Sequence, residues 1–288
     1  RTPIGSPRQP TSPGCAPKWS MTAQARIAAL EALSTEKRLR GRLFFRLLRN
    51  RLALVGMIIT FIVIVVAALA PIIAPYDPLE IRLSDRLKPP DSTYLLGADH
   101  LGRDILSRII YGAQITLEVG VISVALGTII GLIAGAAAGY MGKQVDNVIM
   151  SIMDAIYAFP AILLALALVA AFGPGLVTVM TAIALHRIPI FARTVRSSIL
   201  SEKEKEYIEA ARCIGQRELA ILVRHILPNI VAPIIVVTTT YFASAIIVEA
   251  SLSFLGLGIP PPEASWGVML NDGRKYMNRC RTLSSILA

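Results

Sequence analysis

Residues 115–139 read ITLEVGVISVALGTIIGLIAGAAAG, an apolar run whose one charge is Glu118 near its start. At ~1.5 Å of rise per residue such a helix outreaches the ~30 Å hydrocarbon core of a bilayer. The run is far longer than a barrel strand of ~9–11 residues and shows no polar alternation, and backbone groups in lipid must be satisfied within their own segment. It reads as a membrane-spanning helix. Gly127, Gly131, Gly135 and Gly139 recur at four-residue steps inside it, which aligns them on one face and predicts close packing against another helix.

Four similar runs flank it. A first span covers about 52–70 and is closed by Pro71 and Pro75. After a turn at 141–147 a third covers about 148–172. Gly173-Pro174-Gly175 leads to a fourth at about 176–192, and a fifth covers about 230–248. The 288 residues are 54% hydrophobic and the mean hydropathy is +0.61, more apolar surface than a water-soluble chain of this size buries. The fold class is therefore all-α, a polytopic membrane helix bundle with five predicted spans.

The net charge of +10 raises the question of a nucleic-acid partner. Its Lys and Arg residues flank the apolar runs instead of sharing a soluble face, so no nucleic acid is expected and the charge reads as topogenic. Arg38, Arg40, Arg42, Arg46, Arg49 and Arg51 crowd before the first span and predict a cytoplasmic N-terminus. The chain divides into a disordered leader over 1–20, a basic amphipathic cytoplasmic segment over 21–51, the first span with its flank over 52–75, an external loop over 76–113, a core over 114–276, and an atypical tail over 277–288. Cys15, Cys213 and Cys280 are far apart and form no CxxC pair, so neither a disulfide framework nor a metal site is expected.

The charged connector 193–229 ends in Glu206–Asn229, EYIEAARCIGQRELAILVRHILPN. It reads as helix, turn, helix: Glu209-Ala210-Ala211 leaves one face small and open, Gly215 permits positive φ, and Pro228 is expected to end the second helix at the membrane surface. This segment resembles the EAA loop of ABC importer permeases, with Glu209, Ala210, Ala211, Gly215, Leu227 and Pro228 at the family spacing. His225 occupies a slot that is usually hydrophobic, as in the dipeptide and oligopeptide branch. Residues 96–108, LGADHLGRDILSR, are similar to a run that precedes the second span of that branch, with Ala98 in place of the usual Thr. Residues 249–266, EASLSFLGLGIPPPEASW, resemble its external segment after the fifth span.

The resemblance implies the type I (MetI-like) permease fold of ABC importers and a C-type permease subunit for dipeptides or oligopeptides, with nickel or glutathione as neighbouring substrates. It also implies that the EAA loop couples to cytoplasmic ATPase subunits, and that a second homologous permease, an external substrate-binding protein and the lipid bilayer of a bacterial inner membrane are the other partners. The chain itself is expected not to be an enzyme and to need no cofactor, since it has no GxxxxGK[ST] loop for phosphates and its three histidines, His100, His186 and His225, fall at different depths. Permeases of this branch usually carry a sixth span. Residues 267–288 offer only scattered apolar positions, so that span is expected to be missing, and a truncated, non-transporting membrane fragment is the competing reading.

Charges inside spans are costly unless they face protein or water. Asp154, His186 and Arg187 are on that ground candidates for a translocation path, Arg187 because a guanidinium suits a passing carboxylate. Glu118 and Glu249 lie nearer span ends, where an interfacial position is expected. The run Gly102-Arg103-Asp104 is expected to order the external loop through a local ion pair.

Overall fold

The computed structural model describes residues 50–286, with side chains as far as residue 276. The leader 1–20, most of the basic segment 21–51, Cys15, Cys280 and the side chains of the tail 277–288 lie outside the described residues. The chain divides into two compact units at Thr60/Phe61.

The described elements run in the order α1 (Arg51–Ala68), α2 (Ala70–Ile73), α3 (Ile105–Met141), α4 (Lys143–Tyr157), α5 (Ala161–Phe172), α6 (Leu176–Lys203), α7 (Glu206–Cys213), α8 (Glu218–Ile221), α9 (Leu227–Phe254) and α10 (Trp266–Ile286). A π-helical turn, Leu222–Ile226, joins α8 to α9. Four helical stretches are long and apolar enough to cross a bilayer: α1, α3, α6, and the continuous run from Glu218 to Phe254. A fifth crossing is formed if the bent pair α4 and α5 counts as one.

α3 is the spine of the bundle, and α6 lies along its glycine face. A Cβ added at Gly127 would lie 3.2 Å from Arg187 Cβ, one at Gly131 2.5 Å from Phe191 Cβ, and one at Gly139 3.1 Å from Ile199 Cβ; at Gly135 it would meet the Ala192 carbonyl oxygen. Each step of four along α3 thus meets the next turn of α6. The facing side chains Phe191, Ala192, Val195 and Ile199 are at most 1% exposed. Lipid tails are as apolar as these side chains, so what favours this contact is backbone proximity and dispersion. Near the other end of α3, Gly120 faces Phe242 of α9 and Gly112 faces Trp266.

Four expectations need correction. The third span is not one straight helix: α4 and α5 meet at 85° across residues 158–160. Pro160 has no N–H to continue the ladder and disfavours helical backbone at Phe159, so the break falls there. The fourth helix does not end at Ala192 but continues to Lys203, because its basic residues find partners on α4: Arg196 makes a two-point ion pair with Asp146, and Arg193 Nη2 donates to Asp154 Oδ1 at 2.6 Å. Pro228 does not end a helix either. It sits in the first turn of α9, and the π turn before it absorbs the missing donor, with Leu227 N–H reaching back five residues to the Leu222 carbonyl. Similarly, Pro71 opens the short α2 instead of closing α1.

The segment before α3 is tied down by its own polar groups. Asp104 caps α3, accepting the Ser107 N–H at 2.8 Å and the Ser107 hydroxyl at 2.6 Å. The partner of Arg103 is therefore Asp99, at 2.7 Å, and not the adjacent Asp104. Burial alone would raise the Asp99 carboxyl; the Arg103 and Leu101 backbone N–H groups and the Arg103 guanidinium outweigh it and hold the group below the ordinary carboxylate range.

The seam yields a test. Gly131→Ala is expected to destabilise the chain by about 1–3 kcal/mol, since the new methyl must displace Phe191 in a packed layer. Gly56→Ala, whose Cβ meets nothing within 4 Å, is expected to be neutral or slightly stabilising. Thermal unfolding in detergent micelles compares the two; equal melting temperatures would contradict the packing role of the seam.

Candidate coupling site

At the end of the bundle where α3 finishes, α7, the turn at 214–217, α8 and the π turn form one connector between α6 and α9. It is anchored from below: Ile208, Ala211, Ile221 and Ile226 are buried and pack with Val195 and Ile199 of α6. Glu209, Ala210 and Gly215 are exposed on its other side, beside Ile214, 76% exposed, and Leu219, 71% exposed. Apolar side chains this open on a short polar connector mark this face as a candidate contact surface.

Gly215 has φ +78°, and its N–H bonds the Arg212 carbonyl while Gln216 N–H reaches the Ala211 carbonyl, a C-terminal cap for α7. His225 is half-buried, and its Nε2 lies 3.0 Å from Gln216 Oε1, so it ties the turn to the π helix. Asn229 Nδ2 donates to the Tyr207 hydroxyl at 3.0 Å, and Tyr207 in turn donates to Glu202. Leu227 is half-buried and Pro228 exposed, both at the base of α9.

Other polar contacts bind the connector to the spans. Lys205 Nζ reaches Glu202 at 2.6 Å, and that carboxylate holds the lysine ammonium above its ordinary range. The Tyr140 hydroxyl at the end of α3 meets the Glu218 carbonyl and carboxylate, and Lys203 Nζ donates to the Gly139 carbonyl at 3.3 Å. The connector is thus joined to α6, α3 and α9 together. The Tyr140–Glu218 and Tyr207–Asn229 contacts join residues 78 and 22 apart, beyond any helix period, so the sequence does not mark Glu218 or Asn229 as anchors.

The path candidates split into two groups. Asp154 is exposed and paired with Arg193, whose guanidinium lies 4.9 Å from the Tyr157 ring centroid. Tyr157 stacks on His186 at 5.6 Å, so Asp154, Tyr157, Arg193 and His186 form one polar strip beside the break in the third span. Arg187 points elsewhere, into the bundle. It is 7% exposed, donates to the Ser244 hydroxyl at 2.7 Å and lies over the Tyr241 ring at 4.6 Å. A cleft of only about 10 Å³ touches both His186 and Arg187, room for roughly one water. Among the described residues no carboxylate pairs with Arg187.

Glu249, expected near an interface, is fully buried instead; one carboxylate oxygen accepts the Ser253 hydroxyl at 2.8 Å, and the other has no partner among the described residues. Glu118 is exposed and lines a cavity of about 580 Å³ with Asp77, Tyr111 and Glu263.

Comparison with known proteins gives the context for this geometry. The sequence profile of the binding-protein-dependent transport system inner membrane component matches residues 127–288, and that of the N-terminal TM domain of oligopeptide transport permease C matches residues 39–90. A peptide transport system permease protein of Brucella abortus is 45% identical over 80% of this chain and 78% of its own length. A dipeptide transport system permease protein of Alkalihalophilus pseudofirmus is 44% identical over 81% and 77%, and a glutathione transport system permease protein of Pectobacterium atrosepticum 45% identical over 81% and 77%.

Proposed function

We propose that this chain, which belongs to the binding-protein-dependent transport system inner membrane components, is the C-type permease that passes di- and oligopeptides through a bacterial inner membrane. It is a multi-pass subunit of an ATP-driven importer, not an enzyme, and ATP is hydrolysed by partner subunits. The observation that carries the reading is the connector: a short helix pair, anchored by buried Ile208 and Ala211, that leaves Glu209, Ala210 and Gly215 open to a docking ATPase. Peptide as the cargo rests on the relatives, whose names include peptide, dipeptide and glutathione permeases; glutathione is itself a peptide with free carboxylates, so one chemistry covers them.

In this reading the ATPases close on ATP and push α7. The Glu202, Tyr207 and Asn229 contacts carry the push into α6 and α9, while the Arg196 and Arg193 ion pairs carry it into α4. A second, homologous permease completes the cavity, and an external binding protein delivers the cargo on the side of residues 76–104. The connector and the N-terminus face the cytoplasm, as the basic flank before α1 indicates. Arg187, a buried cation without a carboxylate of its own, receives the carboxylate of the passing peptide when the α5, α6 and α9 cleft widens.

Three outcomes test this. Gly215→Val places a β-branched residue at φ +78° with no clash, a strain of about 1–2 kcal/mol; peptide uptake in reconstituted vesicles is expected to fall about tenfold while ATP hydrolysis persists, and undiminished uptake would remove the connector from the coupling role. With Cys15 and Cys280 replaced by Ser, an impermeant maleimide is expected to label Cys213, exposed on α7, in inside-out but not right-side-out vesicles. The reverse labelling would invert the topology. Arg187→Gln is expected to raise the KM for dipeptides with a free C-terminus and to leave C-terminally amidated ones unchanged; an equal change for both would exclude a carboxylate contact.

A further inference from the structure

Away from the path, a cleft of about 290 Å³ opens between the segment before α3 and the first turns of α10. That volume is close to the lower end of small-ligand pockets, ~300 Å³. Its polar lining comes from Asp99, His100, Arg108 and Asp272, with Gly273 and Tyr276 completing the α10 side.

Arg108 is the unusual member. Its side chain is 2% exposed, yet its contacts are poor: Nη1 reaches the Pro78 carbonyl at 3.4 Å, and Nε stands 3.7 Å from Asp99 Oδ2, too long for a hydrogen bond. Asp99 has little left to offer. Its Oδ1 accepts the N–H groups of Leu101 and Arg103 at 2.8 and 2.9 Å, and its Oδ2 accepts Arg103 Nε at 2.7 Å. One carboxylate thus faces two buried guanidinium groups, and most of the five N–H donors of Arg108 have no acceptor among the described residues. A buried cation left so short of partners calls for an anion.

The rest of the cleft says what the anion is attached to. Asp272 is half-buried and its pairing with Lys275 is loose, at 3.6 Å. A simple anion beside Arg108 would be repelled by Asp272, and a simple cation by Arg108; a molecule with both charges meets both groups. His100 and Tyr276 stack at 4.8 Å and 15° to give a flat wall, and Ile105 and Met269 add apolar surface for a small side chain.

We propose that this cleft binds a small zwitterion of amino-acid or dipeptide size, its carboxylate forked by Arg108 and its ammonium on Asp272. The site is separate from Arg187 and stands independently of which cargo the spans carry. The same carboxylate chemistry could be supplied by an acidic side chain of a docking protein, and the test separates the two sources.

The assembled importer in lipid nanodiscs, without binding protein, is followed by hydrogen exchange with alanyl-alanine, acetate or methylamine as probes. Alanyl-alanine is expected to slow exchange saturably in residues 98–108 and 269–276, and acetate or methylamine alone to do so far more weakly. Arg108→Gln and Asp272→Asn are each expected to weaken this binding about tenfold. Since Arg108 is buried, Gly273→Leu provides the variant that spares the fold: a Cβ there meets nothing within 4 Å, so the leucine fills the cleft and is expected to abolish the protection with the melting temperature unchanged. Absence of saturable protection in the native complex, undiminished protection in Gly273→Leu, equal protection by acetate, or protection only by the binding protein would each overturn the proposal.

Discussion

The bundle depends on how closely α3 and α6 approach. In water, burying Phe191, Val195 and Ile199 would supply the driving force; in lipid it does not, and the two helices stay together only because glycines at every fourth position let one backbone meet the other. Several of the polar groups in the bundle are held by α6. It carries His186 and Arg187 at mid-length, Arg193 and Arg196 beyond them, and at its end Glu202, which seats the connector. A looser seam would leave each of these groups without a fixed position.

The connector is held on one side and bare on the other. Its apolar underside merges with the core of α6, and three side-chain links, Tyr207 to Glu202, Asn229 to Tyr207 and His225 to Gln216, prevent it from swinging independently. Ile214 and Leu219 stand bare on the opposite side. His225 has a structural explanation here: its ring reaches the capping turn, which an aliphatic side chain would not hydrogen-bond.

Length, composition and glycine spacing made the helical class, the five apolar runs and the α3 face legible, since these are local and periodic properties. The bend of the third span was not, although Pro160 is visible in the sequence, because a proline within a long apolar run is compatible with a kink as well as a break. The onward course of α6 escaped for a different reason. Arg193 and Arg196 look like the start of a polar loop until their acids on α4 are known, 39 and 50 residues away. Glu249 and Arg108 likewise looked like interface and loop charges; their burial depends on α10 and on the segment before α3, whose placement no sequence period encodes.

The 85° bend in the third span has one more consequence. α5 begins after Pro160 with no side chain capping its first turn, so the amides of Ala161, Ile162 and Leu163 start the helix with no acceptor among the described residues. Oil cannot solvate such amides, and irregular backbone persists at this depth only beside protein or moisture. The bend therefore favours polar surroundings at the Pro160 break, beside Tyr157 and His186, over bare hydrocarbon.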